Sequence, residues 1–186
     1  MRPKPAAAPA WTFYFGIVAM FLLLVGVISQ PASLLQKSLF LIGALMLTIT
    51  AYLNVQWMLF VLQVVISLGA IIAFMGMGEI VNYTLLLGAA LIGTAGLVRA
   101  KHFKSDPWSI VSCVGLFLVA AGIATDAIAH QLFFGLFLGV GSLLVALYSF
   151  VDYYFKKDNI AIIWFILNLV FAINPILLAI SALKSQ

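Results

Sequence analysis

From Trp11 to Ala182 the chain is a succession of apolar runs separated by short polar joints. The runs at 11–29, 37–53, 56–75, 82–99, 108–125, 133–151 and 161–182 are each close to the roughly 20 residues that an α-helix needs to cross a bilayer. The joints are Gln30-Pro31, Gly78-Glu79, Lys101 to Pro107, Asp126 to Gln131 and Asp152 to Asn159. Only Asn54, Val55 and Gln56 separate the second run from the third, so 37–75 reads either as one bent helix or as two helices and a tight turn. Backbone groups inside hydrocarbon must be paired within the segment itself, which makes each run a helix rather than an open strand. The pattern predicts an all-α integral membrane protein with seven transmembrane helices.

The first three runs recur in the last three. Residues 21–52 realign with 117–148 at a constant offset of 96, pairing Phe21 with Phe117, Gly26 with Gly122, Gly43 with Gly139 and Tyr52 with Tyr148. The third member realigns at an offset of 105, because the second copy has nine more residues in the preceding joint; Phe60 to Val65 then matches Phe165 to Val170. Four crossings separate the copies, so both enter the membrane in the same direction. The expected organisation is two parallel three-helix repeats, 11–75 and 108–182, joined by a linker helix and loop at 76–107, with tails at 1–10 and 183–186. The two copies should be related by a pseudo-twofold axis along the membrane normal, a plan known among secondary transporters. Both the repeat and the charge pattern favour a true turn at 54–56.

Composition agrees with the class. The 186 residues are 66% hydrophobic and 8% charged, with a mean hydropathy of +1.24, whereas soluble domains carry about a quarter charged residues. Lys and Arg prefer cytoplasmic loops. With the N-terminus inside, Arg2, Lys4, Arg99, Lys101, Lys104, Lys156 and Lys157 fall on the cytoplasmic side and only Lys37 and Lys184 outside. Trp11, Trp57, Trp108 and Trp164 then fall in the first turns of the odd-numbered spans, at the headgroup level that indoles favour. The expected location is the inner (cytoplasmic) membrane of a bacterium, N-terminus cytoplasmic and C-terminus outside. The basic N-terminal stretch reads as part of an uncleaved first helix. Cys113 is the single cysteine, so no intramolecular disulfide forms.

Polar side chains inside the runs are the candidates for function. Gln63 and Asn168 occupy matching positions of the two copies, roughly 10 Å inside at about 1.5 Å per residue. Gln56, Gln63 and Ser67 share a helical face, as do Asn168, Ala172 and Pro175. Pro175 lacks an N–H, which leaves the Phe171 carbonyl without its helical donor and can kink the last helix. The expected substrate-binding residues are Gln63, Asn168, Asn174 and Ser67. The expected gating residues are Pro175, Tyr52 and Tyr148, the tyrosines alternatively forming an interfacial girdle with Tyr153 and Tyr154. Gly88, Ala89, Gly93 and Gly96 in the fourth span, with Gly43, Gly139 and Gly141 elsewhere, mark close helix packing.

The triple-helix repeats, the linker helix and the stretch Trp164-Phe-Ile-Leu-Asn168 resemble the three-plus-one-plus-three family of SWEET facilitators, PQ-loop proteins and nicotinamide riboside transporters. That resemblance implies a substrate site faced by the third helix of each repeat, a role falling here on Gln63 and Asn168. The chain has no Pro-Gln dipeptide, and its expected orientation is opposite to that of the sugar facilitators.

The expected function is a small transporter or facilitator of a polar, uncharged metabolite along the repeat interface. The alternative is a non-transporting structural or regulatory subunit of a membrane complex. No acid or base lies deep in any run, and such residues mark proton relays and ion-coupling sites; passive exchange is therefore expected. Glu79 and Asp126 lie at outer span ends. His102 and His130 belong to joints on opposite sides of the membrane, and no zinc-ligand spacing, nucleophile elbow or phosphate loop occurs. No enzyme activity, catalytic residue, metal, cofactor or nucleic acid is expected. The expected partners are the lipid bilayer and a small-molecule solute, with a second copy or membrane-complex subunits as further classes.

Overall fold

The computed structural model describes residues 9–29, 33–127 and 129–184; residues 1–8 of the expected tail at 1–10, the Gln30-Pro31 joint and residues 185–186 lie outside them. Regular structure among the described residues is helical throughout. The elements are α1 (Trp11–Ile28), α2 (Leu34–Leu53), α3 (Trp57–Met75), α4 (Glu79–Arg99), the single-turn α5 (His102–Ser105), α6 (Ser109–Ala124), α7 (Gln131–Lys156) and α8 (Ala161–Lys184). Local chemistry explains where the ends depart from the apolar runs. The α2 helix starts before its run because the Ser33 hydroxyl accepts from the Gln36 N–H at 3.1 Å, capping a polar first turn. The α7 helix runs on to Lys156, where the ammonium meets Asp152 one turn back at 2.6 Å. The joint before α8 is therefore shorter than the expected 152–159.

The ambiguous stretch 37–75 is two helices and a tight turn. Val55 adopts φ 59° between them, and the Gln56 N–H returns to the Ala51 carbonyl at 2.9 Å. A left-handed conformation costs a side-chain-bearing residue about 1–2 kcal/mol, so this turn is held by the packing of α2 on α3. At the other end of α3 the same conformation falls on Gly76, φ 62°, which has no Cβ to oppose it.

Each helix packs on the next in chain order. The contacts α1·α2, α2·α3, α3·α6, α6·α7 and α7·α8 are closed into a ring by α1·α8, and α4 packs on both α3 and α6, over their seam and outside the ring. Two ends follow from this antiparallel course. We call basal the end with the α2–α3, α4–α6 and α7–α8 connections, where Gln56 bonds Asp158 and Lys156 bonds Asp106. The apical end has the remaining joints; there the Glu79 carboxylate accepts from the Asp126 N–H at 3.1 Å and His130 lies 4.0 Å from it.

The distribution of polarity is inverted relative to a soluble bundle. Phe21, Ile42, Ile49, Leu91, Ile92, Ile110, Phe133, Leu147 and Leu177 are exposed on the outside, whereas Thr50, Gln63, Ser112, Ser142 and Asn168 are buried. Five helices, α2, α3, α4, α7 and α8, are long and apolar enough to cross a membrane; Trp11–Gly26 and Ser109–Ala124 are shorter apolar helices. Sixteen residues span only about 24 Å, against a hydrocarbon core of about 30 Å.

Small residues set the close approaches, though not where the fourth run placed them. Gly115 and Gly141 face each other's backbone across α6 and α7, and Gly122 faces the backbone of Leu138. Gly43 receives Leu23 and Gly139 receives Ile176, as their small size led one to expect. In α4 only Gly93 is covered, by Val61; Gly88 and Gly96 have open space where a Cβ would stand. The reason is that α4 lies outside the ring and has neighbours on one side only.

Candidate functional site

A cavity of about 250 Å³ occupies the middle of the ring. All the long helices except α4 contribute to it: Leu23 from α1, Phe40 from α2, Gln63, Ile66 and Ala70 from α3, Val119 and Ile123 from α6, Phe134, Leu138 and Ser142 from α7, and Leu167, Asn168 and Phe171 from α8. Helix register gives its orientation. Gln63 and Asn168 lie two turns from the basal starts of α3 and α8, while Ala73, Ile123 and Phe134 lie near apical helix ends. The cavity thus runs from mid-bundle toward the apical end, with its amides at the basal limit and apolar walls above them.

Gln63 is 1% exposed, and neither its Oε1 nor its Nε2 has a hydrogen-bond partner among the described residues. Asn168 is 4% exposed and donates Nδ2 to the Trp164 carbonyl at 2.8 Å, leaving Oδ1 as an acceptor. The Ser142 hydroxyl is the third polar group on the wall. A buried amide without a partner is destabilising by about 1–3 kcal/mol for each group left unmade. Both Gln63 amide atoms are enclosed by their neighbours as well as unpaired among the described residues.

Basal to the amides the ring is shut. Trp164, one turn before Asn168, is fully buried, and its indole Nε1 donates to Gln56 Oε1 at 2.8 Å. Gln56 Nε2 in turn donates to Asp158 Oδ2 at 2.6 Å. This chain of bonds links the α2–α3 turn to α8 and to the joint before it, although α3 and α8 make no close backbone contact. Trp164 is accordingly a core residue and not an interfacial one; Trp11, Trp57 and Trp108 are the exposed tryptophans.

The other expected site residues fall elsewhere. Ser67 meets Thr48 of α2 at 3.2 Å, because the cavity face of α3 follows Gln63, Ile66, Ala70 and Ala73, one flank away. Asn174 is exposed on the outside of α8, whose buried stripe is Asn168, Ala172, Pro175 and Ala179. Pro175 is buried in that stripe with its carbonyl against Gly135 of α7, inside an uninterrupted helix. Tyr52 lies on the outer surface beside Trp57 and Phe60, with ring centroids 5.9 and 5.7 Å away. Tyr148 is buried and donates to Asp106 Oδ2 at 3.0 Å. The pair is unlike because the equivalents of Asp106 and Ser109 in the first copy are Ala10 and Phe13, which offer Tyr52 no acceptor.

Asp106 is the centre of a basal cluster absent from the sequence reading. Lys156 Nζ donates to its Oδ2 at 2.7 Å, Ser109 at 2.9 Å and Tyr148 at 3.0 Å, with Asp152 on the far side of Lys156. Burial alone pushes this carboxyl up, but these donors outweigh it and hold it below the ordinary carboxylate value. The cluster ties α6 to the basal end of α7 and does not line the cavity.

Helices with apolar exteriors, several of them long enough to cross a membrane, define the class as an α-helical membrane protein with a central cavity. No protein-family model, no curated protein and no solved structure matches the chain.

Proposed function

We propose that the chain is a small multi-pass transporter or facilitator that moves an uncharged solute between two three-helix halves, α1–α3 and α6–α8, with α4 as the linker. The observation that carries this reading is the central cavity itself, which α1, α2, α3, α6, α7 and α8 line together and whose basal limit is marked by Gln63 and Asn168. The pattern of helix neighbours supports the parallel repeat: α1·α2 and α2·α3 have counterparts in α6·α7 and α7·α8, and the seam α3·α6 has its counterpart in α8·α1. All seven long helices cross the bilayer, α1 and α6 with help from flanking residues. The basal end, which carries most of the positive charge, is cytoplasmic, and the membrane is the bacterial inner one. Among the described residues no charged side chain lines the cavity, which favours passive exchange over ion coupling. The solute is less polar than the sequence led one to expect, because aliphatic and phenyl groups form most of the wall.

Reconstituted protein should pass small neutral solutes into liposomes, and the double variant Gln63→Leu with Asn168→Leu should abolish that flux while remaining folded. Flux unchanged in the double variant would refute the proposal. A structural subunit is the second reading, favoured by the uncovered face of α4 at Gly88 and Gly96; co-purification of a fixed partner and no flux would support it.

A further inference from the structure

Charge at the basal end is unevenly settled. The five acids of the chain are Glu79, Asp106, Asp126, Asp152 and Asp158, of which Glu79 and Asp126 are apical. The basal ones are all engaged by the bundle itself: Asp106 and Asp152 meet Lys156 at 2.7 and 2.6 Å, and Asp158 accepts from the Gln56 amide at 2.6 Å. Arg99 in the last turn of α4, and Lys101 and Lys104 just beyond it, are exposed and make no ion pair among the described residues. Asp106, the acid of their own joint, is turned inward and 7% exposed. It leaves those three positive charges uncompensated.

Helix register says which way this patch faces. Leu85, Ile92 and Arg99 recur every seven residues, a spacing that returns to nearly the same side of a helix, and Leu85 and Ile92 are exposed. Because α4 packs only on α3 and α6, outside the ring, that stripe is turned away from the bundle. When α4 crosses the bilayer, the stripe runs in hydrocarbon and Arg99 ends it at headgroup level, the depth to which long basic side chains reach. Trp108 is exposed at the other end of the connection, and indoles settle at the same level. Each Lys or Arg beside a membrane surface favours anionic over neutral lipid by about fivefold. At this depth the anion within reach is the phosphodiester of a phospholipid, and a guanidinium holds two phosphate oxygens at once.

We propose that the basal end of α4 and the connection to α6 form a binding surface for anionic phospholipid headgroups, carried by Arg99, Lys101 and Lys104. This stands apart from the proposed transport and requires only that α4 cross the bilayer. Full-length protein in phosphatidylcholine nanodiscs tests it, with Trp108 as the reporter. Brominated phosphatidylglycerol should associate and quench the indole with about tenfold preference over brominated phosphatidylcholine, and added salt should narrow that preference. The extra quenching should vanish in Trp108→Phe and persist in Trp11→Phe, since α1 lies across the ring from α4. Arg99→Gln, Lys101→Asn and Lys104→Gln together should remove the preference while quenching by phosphatidylcholine stays as in the parent; asparagine suits position 101, where φ is 59°. Equal quenching by the two lipids in the unmodified protein overturns the inference without reference to any variant. A preference that survives in the triple variant, or in Trp108→Phe, places anionic lipid elsewhere and overturns it as well. Inorganic phosphate displacing the lipid more than chloride of equal ionic strength would make the patch a soluble-anion site and overturn the headgroup assignment.

Discussion

The bridge Trp164–Gln56–Asp158 gives the sharpest test of how the basal end is closed. Replacing Gln56 by leucine removes both bonds at once. A hydrogen bond to a charged group contributes about 1.5–3 kcal/mol and a neutral one about 0.5–1.5; with Gln56 only partly buried, the lower values apply, and the bridge is worth about 2 kcal/mol. If opening breaks it, the population open at the basal end rises about thirtyfold, since 1.4 kcal/mol is a factor of ten. Ser142→Cys places a near-isosteric thiol on the cavity wall, in a background where the single native cysteine, Cys113, is serine. A membrane-impermeant maleimide applied from the basal side should label this thiol about thirtyfold faster after Gln56→Leu, and no faster from the apical side. Unchanged basal labelling in a folded variant would show that the bridge only braces the α2–α3 turn and that closure lies elsewhere.

Three further outcomes follow from the same geometry. Gln63→Met keeps the shape of the side chain and removes two unpaired polar atoms, so the solute-free protein should gain about 1–3 kcal/mol in denaturant unfolding; a loss of stability would mean that the amide has a structural partner. Gly122→Ala would set its Cβ 2.6 Å from the Leu138 nitrogen, a backbone clash costing about 1–3 kcal/mol, whereas Gly88→Ala meets nothing and should gain up to about 1 kcal/mol from helix propensity. Melting curves of the two variants side by side check both signs. The Asp106 carboxyl is held below its ordinary value of 3.8, so its contribution is complete above that pH and fades as pH falls through the depressed folded value; unfolding curves should show this acid loss in the parent and less of it in Asp106→Asn.

Hydrophobic patterning made the helices legible, because lipid and core ask for the same residues and a run long enough to span admits one backbone solution. It placed Gln63 and Asn168 at one depth by their shared register, and both line the cavity. It failed where side chains on one helix had to be assigned a direction. Ser67 follows Gln63 by one turn yet turns to Thr48, and Asn174 sits six residues from Asn168 on the opposite flank, distinctions that depend on how far each helix is rotated against its neighbours. Ser142 was missed because the run Gly139-Val-Gly-Ser142 reads as small-residue packing, and Gly139 and Gly141 do serve that purpose. The Asp106 cluster was out of reach for another reason: Asp106, Tyr148 and Lys156 meet only because α7 continues past the end of its apolar run.

The two amides stand at matching positions of the sequence and are bonded differently. Asparagine has one methylene fewer than glutamine, and Asn168 reaches only its own helix, at the Trp164 carbonyl. Gln63 occupies the corresponding place in the first copy, but its longer side chain leaves the helix backbone behind and stays unpaired. The same difference recurs one turn lower, where Leu59 stands in the register of Trp164. The later segment therefore carries the indole bonded to Gln56, while the earlier one carries the amide that stays unpaired among the described residues. At matching positions of the sequence, glutamine for asparagine separates an unpaired amide from one bonded to its own helix, and leucine for tryptophan separates an aliphatic core residue from a bonded indole.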